Sequence, residues 1–272
     1  MKKQIQEFRK KLKWLDPFTY VDLALEKYWP VKGKKTLTQE IGYNAIYLVS
    51  AFVFAFILYQ LFAIALQSKS PIVIVISQSM EPNLYRGDIV FIQGVSAIDL
   101  KAQEASINER ISGRIFSEFG KANFKQSQAS IAKIRLESIE VNGEKFFPNT
   151  QGDTAIYYSS INGEQIIHRA ILKINAIDGT FLLTKGDNER TNWTFDQDCG
   201  GLVEVPVIGT DTVIRKTEKH CITSYPVNVK EIDGKAALRI PLIGCVKVWV
   251  FDDLPSIIFS GRMPPYYNGG IC

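Results

Sequence analysis

Residues 71–92 read PIVIVISQSMEPNLYRGDIVFI. The first six of these, Pro71–Ile76, are rich in β-branched side chains and predict a strand, and Ile89–Ile92 predicts a second one. Proline, asparagine and glycine residues between the two runs are typical of a turn. The segment therefore predicts two strands joined by a turn, and Ser79 lies where that turn begins.

The remainder of the chain after this segment also favours β structure, because short apolar runs alternate with Asn-Gly and Asp-Gly pairs, which are typical of hairpins. The predicted strands are 134–141, 154–158, 165–174, 180–184, 202–208, 212–215, 236–240 and 243–251. We expect a mostly β (α+β) domain formed by residues 70–96 and 161–251. An insertion at 97–160, helical in its first part, and a tail at 252–272 complete the prediction.

A long uncharged segment precedes this domain. No charged residue occurs from Ile41 to Ser68, and only Ser50 and Gln60 interrupt the apolar run. A helix of this length spans a hydrocarbon layer about 30 Å thick, so we predict a transmembrane helix at 44–67. The alternative, a helix buried in a soluble core, is normally shorter or amphipathic. A cleavable signal peptide is not expected so far from the first residue.

Charge predicts the orientation of this helix. Residues 1–40 carry ten Lys or Arg against five Asp or Glu, whereas the whole chain has a net charge of +4. The positive-inside rule places residues 1–43 in the cytoplasm and the β domain outside, with the helix in the cell membrane or the reticulum membrane. Residues 3–29 predict either a helix on the lipid surface or a solvated one. The basic excess is too small to indicate nucleic acid.

The chain has four cysteines and two histidines. Cys199, Cys221, Cys245 and Cys272 lack the CxxC spacing of zinc sites, so we predict no metal and no cofactor. Their position in the part predicted to lie outside favours one or two disulfides, with the pairing left open. Four unlinked thiols are the alternative.

Three motifs carry the chemistry. Residues 77–91 contain Ser-Met-Glu-Pro followed by Arg-Gly-Asp, residues 167–171 read IHRAI, and residues 183–188 read LTKGDN. In this order, and behind a membrane anchor, they resemble the type I signal peptidases, the membrane-anchored serine proteases that remove signal peptides. The second motif has His168 where the usual bacterial enzymes have lysine, so the chain resembles the archaeal and endoplasmic-reticulum branch, a Ser-His-Asp variant.

The resemblance implies Ser79 as nucleophile and His168 as base. A serine hydroxyl is a weak nucleophile without an adjacent base. An imidazole can accept a proton near neutral pH, whereas a lysine would need burial to lower its pKa. We therefore expect activity to fall as His168 becomes protonated. If Lys185 or Lys173 were the base instead, replacing His168 would leave most of the activity.

A carboxylate must orient the imidazole. In this family the triad role usually goes to the second of two aspartates, so Asp196 is the first choice, and Asp187 is expected to order the site through hydrogen bonds. The spacing between them is altered in this chain, and Asp198 is the alternative. Asp198 is otherwise a solvated turn carboxylate.

The resemblance also implies an oxyanion hole and a cleft. The backbone N–H of Ser79 and the hydroxyl of Ser77 are the expected donors to the developing charge. Gln78 stands between them where the family usually has glycine. We expect the cleft to be lined by Ile74, Ile76 and Met80. Residues 192–194, Asn-Trp-Thr, form a glycosylation sequon.

The predicted function is thus a membrane-anchored serine endopeptidase acting on signal-peptide-bearing preproteins, with membrane lipid and partner subunits as further contacts. Two alternatives remain. One is a self-cleaving protease on the same scaffold, and the other is a binding or assembly subunit that has lost turnover.

Overall fold

The computed structural model describes residues 16–31, 33, 36–96, 99–127, 134–200, 203–207, 212–216, 220–261 and 272. The chain divides into two compact units, residues 1–65 and 66–272. The first contains helices and the second is mostly β.

Two helices are described in the first unit. Helix α1, Pro17–Tyr28, begins after Asp16, whose carboxylate accepts a hydrogen bond from the Phe18 amide as an N-cap. Helix α2, Leu37–Leu66, has 30 residues and none of them is buried. It is long and apolar enough to cross a membrane. It includes nearly all of the predicted 44–67 span but begins seven residues earlier, and the predicted helix at 3–29 lies partly outside the described residues.

Fifteen strands are described in the second unit. They are β1 Ile72–Ile74, β2 Ile89–Gln93, β3 Gln103–Ser106, β4 Gly120–Gln126, β5 Ile134–Val141, β6 Glu144–Phe146, β7 Thr154–Ser159, β8 Glu164–Ala176, β9 Gly179–Lys185, β10 Gln197–Asp198, β11 Val203–Pro206, β12 Val213–Lys216, β13 His220–Cys221, β14 Val227–Asn228 and β15 Ile232–Ile240. The main sheet has the order β1-β2-β15-β7-β8-β9-β14, and β3 pairs in parallel with β8. The predicted fold class, mostly β with one long apolar N-terminal helix, is confirmed.

The core lies where the long central strands pack. Buried and exposed side chains alternate little along strand β8. The strand is buried for most of its length because it pairs with β7, β9 and β3. The largest apolar cluster combines Leu172 and Ile174 of β8 with Phe181, Leu183 and Phe195. A smaller cluster of Val75, Met80, Leu84 and Val90 fills the space beneath the turn between β1 and β2. This second cluster fixes the segment that carries Ser79.

The predicted insertion at 97–160 is not a separate element. Strands β3 and β7 belong to the main sheet, and β4, β5 and β6 form a three-stranded sheet. Within the described part of this stretch the helical prediction is also wrong, since one 3₁₀ turn, Phe116–Glu118, is the helical element there. Alanine and glutamate frequencies favoured helices locally, but pairing of β3 and β7 with their neighbours in the sheet determines the result.

The predicted strand at 243–251 is helical. Helix α3, Cys245–Val248, continues through a π-helical turn, Trp249–Asp253, into helix α4, Leu254–Ser260. Alternating valines suggested a strand, but Val248 is buried whereas Val246 and Val250 remain accessible to solvent. The predicted boundary between the β domain and the tail, at residue 251, therefore falls inside one continuous helical segment.

Two disulfides, Cys199–Cys221 and Cys245–Cys272, join all four cysteines. The second attaches the C-terminal residue to the start of α3. Arg86 is buried, with Nη2 2.5 Å from Asp253 Oδ1, and it also donates to the carbonyl of Cys272. The tail is therefore bound to the Arg-Gly-Asp motif after Ser79. Residues 262–271 lie outside the described residues.

Candidate active site

Ser79 lies in the turn that follows β1. Ser79 and Ser77 are both half-buried, and their Oγ atoms are 3.1 Å apart, within hydrogen-bond distance. The base of the turn is closed by backbone hydrogen bonds from Val75 to Asp88 and from Gly87 to Val75, at 2.9 and 2.8 Å. The Arg-Gly-Asp segment thus holds the two ends of the turn together and presents its serines at one edge.

The loop after β9 binds the backbone of this turn. The Asn188 N–H donates to the Ser79 carbonyl at 2.9 Å, and Asn188 Nδ2 donates to the Gln78 carbonyl at 2.9 Å. Asn192 Nδ2 lies 3.5 Å from the same Ser79 carbonyl. Gly186 permits this approach, because a Cβ at that position would lie 2.6 Å from Ser79 O and 2.5 Å from Asn192 Nδ2. The end of β9 and the serine turn are therefore in direct contact.

Replacing Gly186 with alanine is expected to lower the free energy of unfolding by about 1–3 kcal/mol, because the added methyl group has a backbone oxygen as neighbour and the structure must shift. Chemical denaturation measures the change. Gly200→Ala is the control, since its tightest neighbour is a side-chain oxygen of Asp198, 3.0 Å away. Equal stability of Gly186→Ala and the unmodified chain would contradict the contact.

Strand register places His168 near the end of β9. It lies on β8 opposite Ala155 of β7, and the next residue, Arg169, lies opposite Lys185, the last residue of β9. The side chain of His168 is 3% exposed, and its Nδ1 lies 2.7 Å from Asp196 Oδ2. His168 therefore lies beside the end of β9 from which the loop to Ser79 extends.

The His168–Asp196 pair fixes the role of each ring nitrogen. Asp196 is fully buried, and an ionised carboxylate can only accept hydrogen bonds. Nδ1 therefore carries a hydrogen, and Nε2 is the acceptor of the neutral ring. This is the tautomer required of a general base that is oriented by a carboxylate.

Two hydroxyl groups approach the same carboxylate oxygen. Tyr157 Oη lies 2.8 Å and Thr184 Oγ1 2.7 Å from Asp196 Oδ2, and the two hydroxyls are 2.9 Å apart. Burial, with the nearby negative charge of Asp196 as a further cause, raises the pKa of Tyr157 well above its ordinary value, so its phenol remains a donor. Gln197 Nε2 in turn donates to Thr184 Oγ1 at 3.2 Å. Asp196 is thus embedded in a polar network.

The other two predicted aspartates have different contacts. Asp187 forms a two-pronged ion pair with Arg169, at 2.7 Å to Nε and 2.6 Å to Nη2, and accepts from Asn83 Nδ2 at 2.8 Å. It connects the strand of His168 to the turn of Ser79, as an ordering residue would. Asp198 accepts from Thr194 Oγ1 at 2.8 Å and so stabilises its own loop. The carboxylate in contact with His168 is that of Asp196.

The two lysines considered as bases differ in position. Lys173 is buried and lies 2.7 Å from Glu104, and this contact lowers the pKa of Glu104, which identifies a structural ion pair between β8 and β3. Lys185 is half-buried, and its Nζ donates to the Gly186 carbonyl at 2.9 Å. Burial lowers the pKa of Lys185, although the charges of Glu189, Asp196 and Asp187 oppose this effect. Of the two, Lys185 is the one at the site.

The residues predicted to line a cleft separate into two groups. Ile76 is 43% exposed beside the serine turn, and Ile74 is half-buried in β1. Met80 is 1% exposed and packs into the cluster beneath the turn, and its place in the floor of a cleft stays a prediction. A side chain that follows Ser79 in a tight turn points to the opposite side, and here that side faces the core.

The sequon is part of this site. Asn192 is 4% exposed, its amide is directed at Ser79 O, and Thr194 is fully buried, so the folded chain does not present the sequon at its surface. Sequence analysis missed Asn188, Asn192, Tyr157 and Thr184 as site residues. Thr184 and Asn188 stand in the LTKGDN motif, whereas no quoted motif contains Tyr157, which lies on β7 beside β8.

Comparison with known proteins agrees with the motifs. The chain is 26% identical to the signal peptidase complex catalytic subunit SEC11 of Saccharomyces cerevisiae strain YJM789 over 205 residues, which cover 74% of this chain and 78% of the relative. The similarity supports the signal peptidase family. SEC11 of strains RM11-1a and JAY291 gives the same identity and coverage. No family model matches the chain.

Proposed function

We propose that this chain is a membrane-anchored serine endopeptidase that removes signal peptides from secreted or membrane preproteins. The observation that carries the proposal is the buried His168–Asp196 pair at 2.7 Å, beside the strand end whose loop binds the backbone of Ser79. The similarity to SEC11 supports the substrate class. A buried histidine paired with a carboxylate next to an accessible serine is the arrangement that activates a hydroxyl nucleophile.

In the proposed first step Ser79 Oγ attacks the carbonyl carbon of the scissile peptide bond. His168 Nε2 takes the hydroxyl proton as the C–O bond forms, and Asp196 stabilises the imidazolium. The proton then passes to the leaving amine, the C–N bond breaks, and an acyl-enzyme remains. Water attacks this ester with His168 again as base, and Ser79 is restored with its proton. In this step the ester C–O bond breaks, and the signal peptide leaves with a new C-terminal carboxyl group.

The developing oxyanion needs donors that are already in place. The Ser79 N–H and the Ser77 hydroxyl are proposed for this role. The two serine Oγ atoms are 3.1 Å apart, so the Ser77 hydroxyl lies close to the oxygen that is proposed to attack. Gln78 leaves this arrangement intact, since its carbonyl is bound by Asn188 and its side chain is not required for either donor.

Strand β1 is proposed to bind the substrate. Among the described strands it is the terminal one in the order of the main sheet, so an extended peptide can pair with its outer edge. Ile74 and Ile76 would then lie beside the residues that precede the cut. The resemblance to the signal peptidases implies small residues there.

Helix α2 is proposed as the membrane anchor, with residues 1–43 in the cytoplasm and the β unit on the other side. Its length and composition support the span, and the joining of all four cysteines in disulfides supports an oxidising compartment. SEC11 is named as the catalytic subunit of a complex, so we infer that this chain also acts with partner subunits.

The proposal is tested by cleavage of a purified preprotein by the full chain in lipid vesicles, with and without partner subunits. We expect one cut at the end of the signal peptide, and no cut with Ser79→Ala. Retained cleavage by Ser79→Ala would contradict the serine mechanism. If the unmodified chain binds the preprotein without cutting it, the silent binding subunit is favoured, and if the chain cuts itself, the self-cleaving protease is favoured.

A further inference from the structure

We propose that Tyr157 is a positioning residue for the His168–Asp196 pair, holding the carboxylate in the orientation that keeps His168 Nε2 free to accept a proton. The inference rests on the proposed function and deepens it. Tyr157 is carried by β7, in the stretch whose sequence gave no indication of a role at the site.

Three side-chain groups that can donate a hydrogen bond lie close to a single oxygen of Asp196. His168 Nδ1, Tyr157 Oη and Thr184 Oγ1 lie 2.7, 2.8 and 2.7 Å from Oδ2. Oδ1 is buried and has no hydrogen-bond partner among the residues that the structure describes. The carboxylate is therefore held through one atom, and its rotation would redirect the bond to His168.

The distances allow three hydrogen bonds among Tyr157, Thr184 and Asp196, but the two hydroxyl groups carry two hydrogens. Either both hydroxyls donate to Oδ2, or one donates to the other, which then donates to Oδ2. In either arrangement the carboxylate accepts at least one hydroxyl hydrogen, in addition to the hydrogen that His168 Nδ1 donates. Loss of the Tyr157 hydroxyl removes one of these hydrogens, so the fully buried carboxylate of Asp196 is less well stabilised by hydrogen bonds.

The surroundings make Tyr157 suitable for an exact test. Its ring is 1% exposed and packs with Ile166 and Val227, so Tyr157→Phe keeps the packing and removes one oxygen. The titratable groups that act on Asp196 are His168 of β8, Tyr157 of β7 and Lys185 of β9. The next residue, Tyr158, is 62% exposed, which provides a matched control in Tyr158→Phe.

The first experiment measures kcat and KM for preprotein cleavage by the full chain across pH. Tyr157→Phe is expected to lower kcat by about 10- to 100-fold with little change in KM, since hydrogen bonds to charged groups have this magnitude. The acidic limb of the profile is expected to move to higher pH, because a less stabilised carboxylate holds the imidazolium proton more strongly. Tyr158→Phe is expected to match the unmodified chain.

A second variant and a readout without substrate keep the test decisive. Thr184→Val is expected to act similarly, and the double variant to lose less than the product of the single losses, because both hydroxyls serve one oxygen. With two histidines in the chain, NMR of ¹⁵N-labelled histidine with His220→Gln for assignment follows the titration midpoint of His168. We expect Tyr157→Phe or Thr184→Val to raise this midpoint and Tyr158→Phe to leave it unchanged.

These outcomes separate the inference from the proposed function. A folded Tyr157→Phe chain with unchanged kcat, acidic limb and His168 midpoint would overturn the positioning role. If Tyr157→Phe does not fold, the same readings on Thr184→Val decide the matter. If the unmodified chain cleaves no preprotein, the proposed function fails, whereas the His168 midpoint still tests whether Tyr157 acts on the pair.

Discussion

Replacing His168 with alanine is expected to lower kcat for preprotein cleavage on the order of 10⁴-fold. Without the imidazole, no group in this arrangement takes the Ser79 proton during attack or returns it to the leaving amine. KM is expected to change little, because His168 is 3% exposed and offers almost no surface for binding the substrate. Single-turnover assays with the full chain in vesicles measure the loss directly.

The control is His220→Ala, which removes the other histidine of the chain and is expected to retain full activity. Lys185→Ala provides the counter-test, because this lysine lies at the site and burial lowers its pKa. If Lys185→Ala abolished cleavage while His168→Ala retained most of it, the base would be the lysine and the Ser-His assignment would be wrong.

Replacing Asp196 with asparagine is expected to lower kcat on the order of 10³- to 10⁴-fold. The shape of the side chain is retained, but the negative charge that stabilises the imidazolium is lost. An amide N–H facing His168 Nδ1 would also force the hydrogen of the neutral ring onto Nε2, where it blocks acceptance of the Ser79 proton. A thermal unfolding curve alongside the kinetics separates this effect from loss of fold.

Asp198→Asn is the matched control. Because Asp198 contacts Thr194 in its own loop, this variant is expected to lose less than tenfold in kcat. The loss of kcat in Asp187→Asn is expected to lie between those of Asp198→Asn and Asp196→Asn. This substitution weakens the two-pronged contact with Arg169 and the hydrogen bond from Asn83, which order the site. A loss larger for Asp198→Asn than for Asp196→Asn would refute the assignment of the carboxylate.

Prediction from the sequence succeeded where a local pattern is also a structural requirement. The β-branched runs that became β5, β8 and β9 are buried strands, and an uncharged apolar segment of the length of α2 is seldom found other than as a helix. It failed in the described part of residues 97–130 and at 243–251, where weak local preferences were outweighed by strand pairing and by the attachment of the tail to Arg86.

The sequence by itself determined the class of fold, the apolar helix and the identity of the residues that could react, because side-chain chemistry and short-range periodicity are written along the chain. Only the tertiary structure decided which carboxylate meets His168 and which side Met80 faces. It also revealed that Tyr157, Thr184, Asn188 and Asn192 belong to the site. Such contacts depend on strand register, in which a shift of one residue turns every side chain to the opposite face.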